Sequence, residues 1–182
     1  MQIRDYNGPG VWAFEAVQQR HTDYSARSGA AAFSTPQPMI YEKGTTRWIY
    51  PIMSSVIAGI RAGDPACMEI GVEFIEEDRK FPFGATLKAG TARALRRADL
   101  SRALQERIRR RVVAMLIAGN TPREYREYAR LLRKIGFSCW WPRIESSVPR
   151  ANRYAMRWFG YFREIHLRTP KAIRNDDKRD SA

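Results

Sequence analysis

Residues 101–136 read SRALQERIRRRVVAMLIAGNTPREYREYARLLRKIG, and their periodicity decides the fold class. In the first half, Leu104, Ile108, Val112, Met115 and Leu116 fall within about 120° of arc at 100° per residue, which is the stripe of an amphipathic helix. Arg107 and Arg111 flank that stripe on one side and Arg109 on the other, while Arg110 points away. Past Arg111 the apolar residues close round the helix, because Val113 and Ile117 oppose the stripe. The C-terminal half is therefore expected to be buried on two sides and the basic N-terminal half to reach solvent. Gly119-Asn120-Thr121-Pro122 then turns the chain. Thr121 is expected to cap a second helix, with Pro122 at its first position and Glu124 completing a capping box. Tyr125, Tyr128, Ala129, Leu132 and Ile135 would form its apolar face and Gly136 its end, leaving Arg123, Arg126, Arg130, Arg133 and Lys134 largely outward.

An upstream stretch repeats this design. Ile49, Ile52, Met53, Val56 and Ile60 share one helical face, Gly63 closes the helix, and Asp64 caps the next with Pro65 at its first position. Val56 to Gly63 (VIAGIRAG) and Val112 to Gly119 (VVAMLIAG) lie 56 residues apart. The pattern predicts an all-α fold of helical hairpins, arranged as an irregular bundle or a short α-solenoid-like stack. Pro65 to Lys80 fits a helix or a strand by pattern, and the Asp-Pro start and the length favour helix. Leu87, Thr91, Ala94, Leu95 and Ala98 support a further helix with Lys88, Arg93, Arg96 and Arg97 outward. Trp140 and Trp141 sit in a connector over 137–148. Pro149 opens a last helix whose aromatic stripe is Tyr154, Trp158, Phe162 and Ile165.

The helical domain is expected to span 46–168. Residues 1–45 carry a turn cluster at Asn7 to Gly10 and the helix-barring Pro36 and Pro38. They read as an irregular N-terminal arm with room for a short helix over Val11 to Arg20, and His21 reads as a loop residue. Residues 169–182 are polar and mixed in charge, the composition of a disordered tail.

The chain carries 32 Lys and Arg against 19 Asp and Glu, a net of +13. The charge is segregated: residues 1–78 hold 6 basic and 10 acidic side chains, and residues 79–182 hold 26 and 9. Such a field attracts polyanions, nucleic acid first. Arginine offers a planar donor fork for phosphate, and the nearby aromatics offer stacking surface. The candidate phosphate contacts are Arg96, Arg97, Arg107, Arg109, Arg110, Arg111, Arg126, Arg130 and Arg133. Backbone contacts with little sequence choice are expected, since the hairpin turn is generic and both helices carry arginine. A protein–protein adaptor built on the helical surface is the second expectation.

No phosphate-binding loop, dinucleotide fingerprint or metalloprotease motif occurs, and Cys67 and Cys139 make neither a disulfide framework nor a four-ligand zinc site. The chain reads as non-enzymatic, with no cofactor and no metal. One acidic segment, Glu73-Phe-Ile-Glu76-Glu77-Asp78-Arg79-Lys80, ends in the acid-x-Lys pattern of divalent-metal nucleases, which makes a nuclease the third expectation. The last helix, aromatic on one side and basic on the other, also resembles helices that lie in a membrane interface. No apolar run approaches the roughly 20 residues needed to span a bilayer, and the start lacks a secretory pattern, so a cytoplasmic protein without integral membrane association is expected.

Overall fold

A computed structural model of the chain describes residues 1–29, 33–77 and 81–168. They form α1 (Phe14–Ser28), α2 (Met53–Ala62), α3 (Pro65–Glu76), α4 (Gly84–Leu95), α5 (Arg102–Ile117), α6 (Tyr125–Ile135), α7 (Trp141–Ser147) and α8 (Arg153–Arg168). Three short strands accompany them, β1 (Gln2–Asp5), β2 (Ile40–Lys43) and β3 (Thr46–Ile49). The fold is thus mostly helical, and the expectation of an all-α chain is corrected by a small sheet in the order β1-β3-β2. β1 runs parallel to β3, and β2 antiparallel to it across a Gly44–Thr45 turn. No helix among the described residues is long and apolar enough to cross a membrane.

The chain gathers into two compact units, Met1–Leu104 and the residues from Gln105 onward. In the first unit α3 is the central element: α1, α2 and α4 all pack on it. Its sequence explains this, because Ala66, Cys67, Met68, Ile70, Val72, Phe74 and Ile75 leave almost no polar face and all are buried. Burying each large apolar side chain contributes about 2 kcal/mol relative to exposure. The α2–α3 turn forms as the sequence predicts. Gly63 adopts φ 89° at the end of α2, and the Asp64 carboxylate accepts the backbone N–H groups of Ala66 and Cys67 at the start of α3. Gly59 lets the two helices meet, since a Cβ there would lie 2.4 Å from Cys67 Sγ.

Several expectations are corrected here. The stretch read as an irregular arm holds β1 and the 15-residue α1, and His21 is a buried residue of that helix and not a loop residue. Tertiary packing on α3 decides this, because Val17 and His21, one turn apart, face that helix's side of the unit. Ile49 ends β3, and α2 begins only at Met53, although Ile49, Ile52, Met53, Val56 and Ile60 are all buried as their pattern requires. Pro65–Glu76 is helix, which removes the strand alternative. Lys88 is buried where an outward position was expected. Asp78, Arg79, Lys80 and the expected tail over 169–182 lie outside the described residues.

α5 opens in the last residues of the first unit, where Ser101 Oγ accepts the Leu104 N–H at 3.3 Å, and runs on into the second. Its stripe is buried as expected, and Val113 with it. α6 starts three residues later than its capping box implied. Pro122 O accepts Tyr125 N–H at 2.9 Å in a lead-in turn, and no side chain caps the helix. Tyr125, Tyr128, Ala129, Leu131 and Leu132 form its buried face.

α8 likewise begins at Arg153 and not at Pro149. The Asn152 carboxamide oxygen accepts the N–H groups of Tyr154 and Ala155 at 3.0 and 3.1 Å, a local cap that fixes the start. Its buried residues are Ala155, Phe159 and Phe162, with Trp141 stacked on Phe159 at 5.5 Å and Phe137 edge-on to Phe162 at 5.0 Å. These partner rings turn the helix away from the predicted stripe: Phe162 stays inside, and Tyr154 is 57% exposed.

Candidate functional site

Three groupings of side chains bear on function: the arginines, an acidic cleft and a buried polar cluster. The nine candidate arginines do not behave alike. Arg96 and Arg97, at the end of α4, belong to the first unit and the other seven to the second. Arg109 is taken up internally. Its Nε donates to Gly136 O at 2.9 Å and its Nη2 to Ile135 O at 2.6 Å and Gln105 Oε1 at 3.2 Å. It thereby caps the carbonyl end of α6, where a cation is also favoured by the helix dipole. Arg130 pairs with Glu127 at 2.9 Å on its own helix. Arg96, Arg107 and Arg111 are half-buried and already engaged. Arg97, Arg110, Arg126 and Arg133 are exposed.

The second unit also exposes Arg123, Arg143, Arg150, Arg153, Arg157, Arg163 and Arg168, outside the sequence-derived candidates. On α8 the sequence pattern assigns Tyr154 to the core, so Arg153 and Arg157 read as a solvated flank; Arg123, Arg143 and Arg150 lie outside that helix. Several of them lie over rings, namely Arg143 over Trp140 at 5.5 Å, Arg150 over Phe159 at 4.6 Å, Arg153 over Tyr154 at 4.7 Å and Arg157 over Trp158 at 5.7 Å.

In the first unit, a cleft of about 400 Å³ is lined by Val11, Trp12, Arg20, Glu73, Glu76 and Glu77. Glu73 is committed within it: Arg20 Nη1 donates to one carboxylate oxygen at 2.5 Å, and the Tyr24 hydroxyl donates to the other. Burial, then the Glu73 carboxylate, pushes the Tyr24 phenol above its ordinary range. Arg20 lies 4.5 Å over the Trp12 ring. These contacts tie α1 to α3. Because α3 is a helix to Glu76, Glu73 and Glu76 do not lie on a strand, as the nuclease pattern would need.

The buried cluster joins residues that the sequence keeps 43 positions apart. His21 Nε2 and Asp64 Oδ2 are 2.7 Å apart, both side chains being 2% exposed. The Cys67 thiol also donates to Asp64. Burial by itself would raise the Asp64 carboxyl, but the hydrogen bonds from Cys67 and His21 and the charge of His21 outweigh it and hold the carboxyl below its ordinary value. Burial and the adjacent carboxylate push the Cys67 thiol far up, so it is no nucleophile at neutral pH.

His, Asp and Cys are a zinc-type donor set, and their ligand atoms lie within 4.8 Å of one another. Yet two ligands about 2.0 Å from one tetrahedral ion stand roughly 3.3 Å apart, and the 2.7 Å His21–Asp64 contact is a hydrogen-bond distance. Asp64 Oδ1 is moreover occupied by the cap of α3. The arrangement fits a hydrogen-bonded lock on the α2–α3 turn. His21 Nδ1 is buried without a partner, and Nε2 is the ring nitrogen that meets Asp64.

Comparison of the chain with protein-family models, with curated proteins and with solved structures finds no match.

Proposed function

We propose that the second unit binds nucleic acid through its phosphate backbone, with little choice of sequence. The observation that carries this reading is the charge of that unit: between Gln105 and Arg168 there are 15 Lys and Arg, all but Lys134 arginine, against 5 Asp and Glu. The first unit, in contrast, is nearly balanced, with 13 against 11 over residues 1–104. Arginine's fork suits phosphate oxygens in pairs, and a net +10 in about 64 residues raises the local concentration of a polyanion. The exposed Arg110, Arg126 and Arg133 are the contacts retained from the sequence-derived set. Arg109 belongs to the fold.

The test is fluorescence anisotropy of a labelled oligonucleotide at low salt, comparing the native chain with the triple variant R110Q/R126Q/R133Q. Native binding, weakened in the variant with unchanged circular dichroism, is expected. No binding by the native chain overturns the reading.

A protein–protein adaptor is the second reading, and a separate feature favours it. The two edge strands of the sheet expose apolar side chains, Ile3 on β1 and Ile40 and Tyr41 on β2, with Met39 alongside at 66% exposure. Exposed edge strands with apolar faces are pairing surfaces. A defined protein that co-purifies after nuclease treatment, and is lost on substituting Ile40 and Tyr41 by polar residues, would support it.

A further inference from the structure

The outward flank of α8 brings aromatic rings and cations together, and among the described residues Arg153, Tyr154 and Arg157 are exposed on it. At 100° per residue, Tyr154, Trp158 and Tyr161 share about 60° of arc, with Arg157 beside them and Arg153 next on the solvent side. Tyr154 is 57% exposed, Arg153 and Arg157 are exposed, and Trp158 and Tyr161 are half-buried. Arg153 and Arg157 stand about 6 Å apart along the axis. Gly160 is exposed in mid-helix, and a Cβ there would meet nothing within 4 Å. A mid-helix glycine costs about 1 kcal/mol relative to alanine, and no packing within the fold calls for it here. It leaves bare backbone beside Arg157 and Tyr161, where a flat group can approach closely.

Two contacts join α8 and its cap to the segment that runs from the end of α5 to the start of α6. Asn152 Nδ2 donates to Gly119 O at 3.2 Å, and the Trp158 ring lies 5.5 Å from that of Tyr125. The exposed Arg123 and Arg126 bracket Tyr125 in sequence. The start of α6 thus meets α8 through the buried Tyr125 ring, and the cations shown beside the rings of the flank are Arg153 and Arg157.

Phosphate contacts alone require only charge, and a duplex hides its base faces. An exposed ring flanked by arginine suits bases that are free to stack. We infer that the α8 flank is a single-strand binding surface, with Tyr154 stacking on a base and Arg153 and Arg157 holding the backbone. This rests on the reading that the second unit binds nucleic acid, and narrows it to unpaired strands.

The experiment uses the full chain, a labelled oligothymidylate of about 16 nucleotides and a duplex of equal length, with anisotropy and tryptophan quenching as readouts. The single strand is expected to bind at least about tenfold more tightly than the duplex. Y154A should weaken single-strand binding by about 5- to 150-fold, the worth of one stacked base. It should leave duplex binding and the melting temperature unchanged, and Y154F should restore the affinity. Equal binding of both forms, insensitive to Y154A, overturns this inference and leaves the phosphate reading standing. Binding of neither overturns both. Capture by anionic phosphatidylserine vesicles without oligonucleotide binding also overturns both, and assigns α8 to a membrane interface.

Discussion

Removing the Asp64 carboxylate should cost the first unit a large part of its stability. In D64A, α3 loses its N-cap, worth about 1 kcal/mol. The buried His21 Nε2–H loses its acceptor as well, worth about 1–3 kcal/mol, and the Cys67 thiol loses its own. The expected loss is therefore about 3 kcal/mol, against a typical total of about 5–15. D64N keeps an oxygen for the cap but turns an N–H₂ toward His21. Two N–H donors then face each other, and the buried Nδ1 has no acceptor for a proton placed there, so about half the loss is expected.

The pH dependence has a definite sign. The folded-state pKa of Asp64 is depressed, so its contribution is fully present above the ordinary carboxyl value of about 3.9 and is lost as pH falls through the lower folded value. Urea unfolding between neutral pH and the acid limit of solubility, taken as the difference between the native chain and D64N, isolates it. The gap should stay constant down to about pH 5 and close below about pH 4. A loss under about 1 kcal/mol in D64A, or a gap that does not narrow in acid, would refute the buried lock.

Further outcomes follow from the same contacts. R109Q should lower stability by about 1–3 kcal/mol in urea unfolding, because the α6 carbonyls lose their donor, and should leave the oligonucleotide salt slope unchanged. G59A should destabilise by about 1–3 kcal/mol, since its Cβ would meet Cys67 Sγ at 2.4 Å, and the melting temperature should fall. G160A enters open space and should raise the melting temperature by the equivalent of about 1 kcal/mol, while weakening single-strand binding where the bare backbone is approached.

The sequence was most legible where chemistry is local. Gly63, Asp64 and Pro65 announced their turn because a left-handed glycine, a carboxylate cap and a proline at the first helical position each act within a few residues. The burial of Val112, Val113, Met115 and Leu116 is equally readable from the apolar run of α5, although Ile117 is only half-buried and Ala114 and Ala118 are exposed. The small sheet is weakly legible: Gly44-Thr45 between Ile-Tyr and Trp-Ile runs is a hairpin signal. The helical period from Ile49 onward overrode it. His21 could not be placed, because its partner Asp64 is distant in sequence and only the packing of α1 on α3 brings them together. The face of α8 is not legible for a related reason: Tyr154 and Phe159 are both aromatic, and only Trp141 and Phe137 decide which side goes inward. That single rotation adds the flank of α8 to a candidate surface that the sequence places at the end of α4 and on α5 and α6.

The most direct test of nucleic-acid binding by the second unit is the salt dependence of the affinity. Each phosphate contact contributes about 0.7 to the slope of log K against log salt on a single strand and about 0.9 on a duplex. The native chain should show a slope of at least about −3 with an oligonucleotide, and R110Q/R126Q/R133Q should flatten it by about 2. Binding that is absent at low salt, or a slope near zero, would contradict the account.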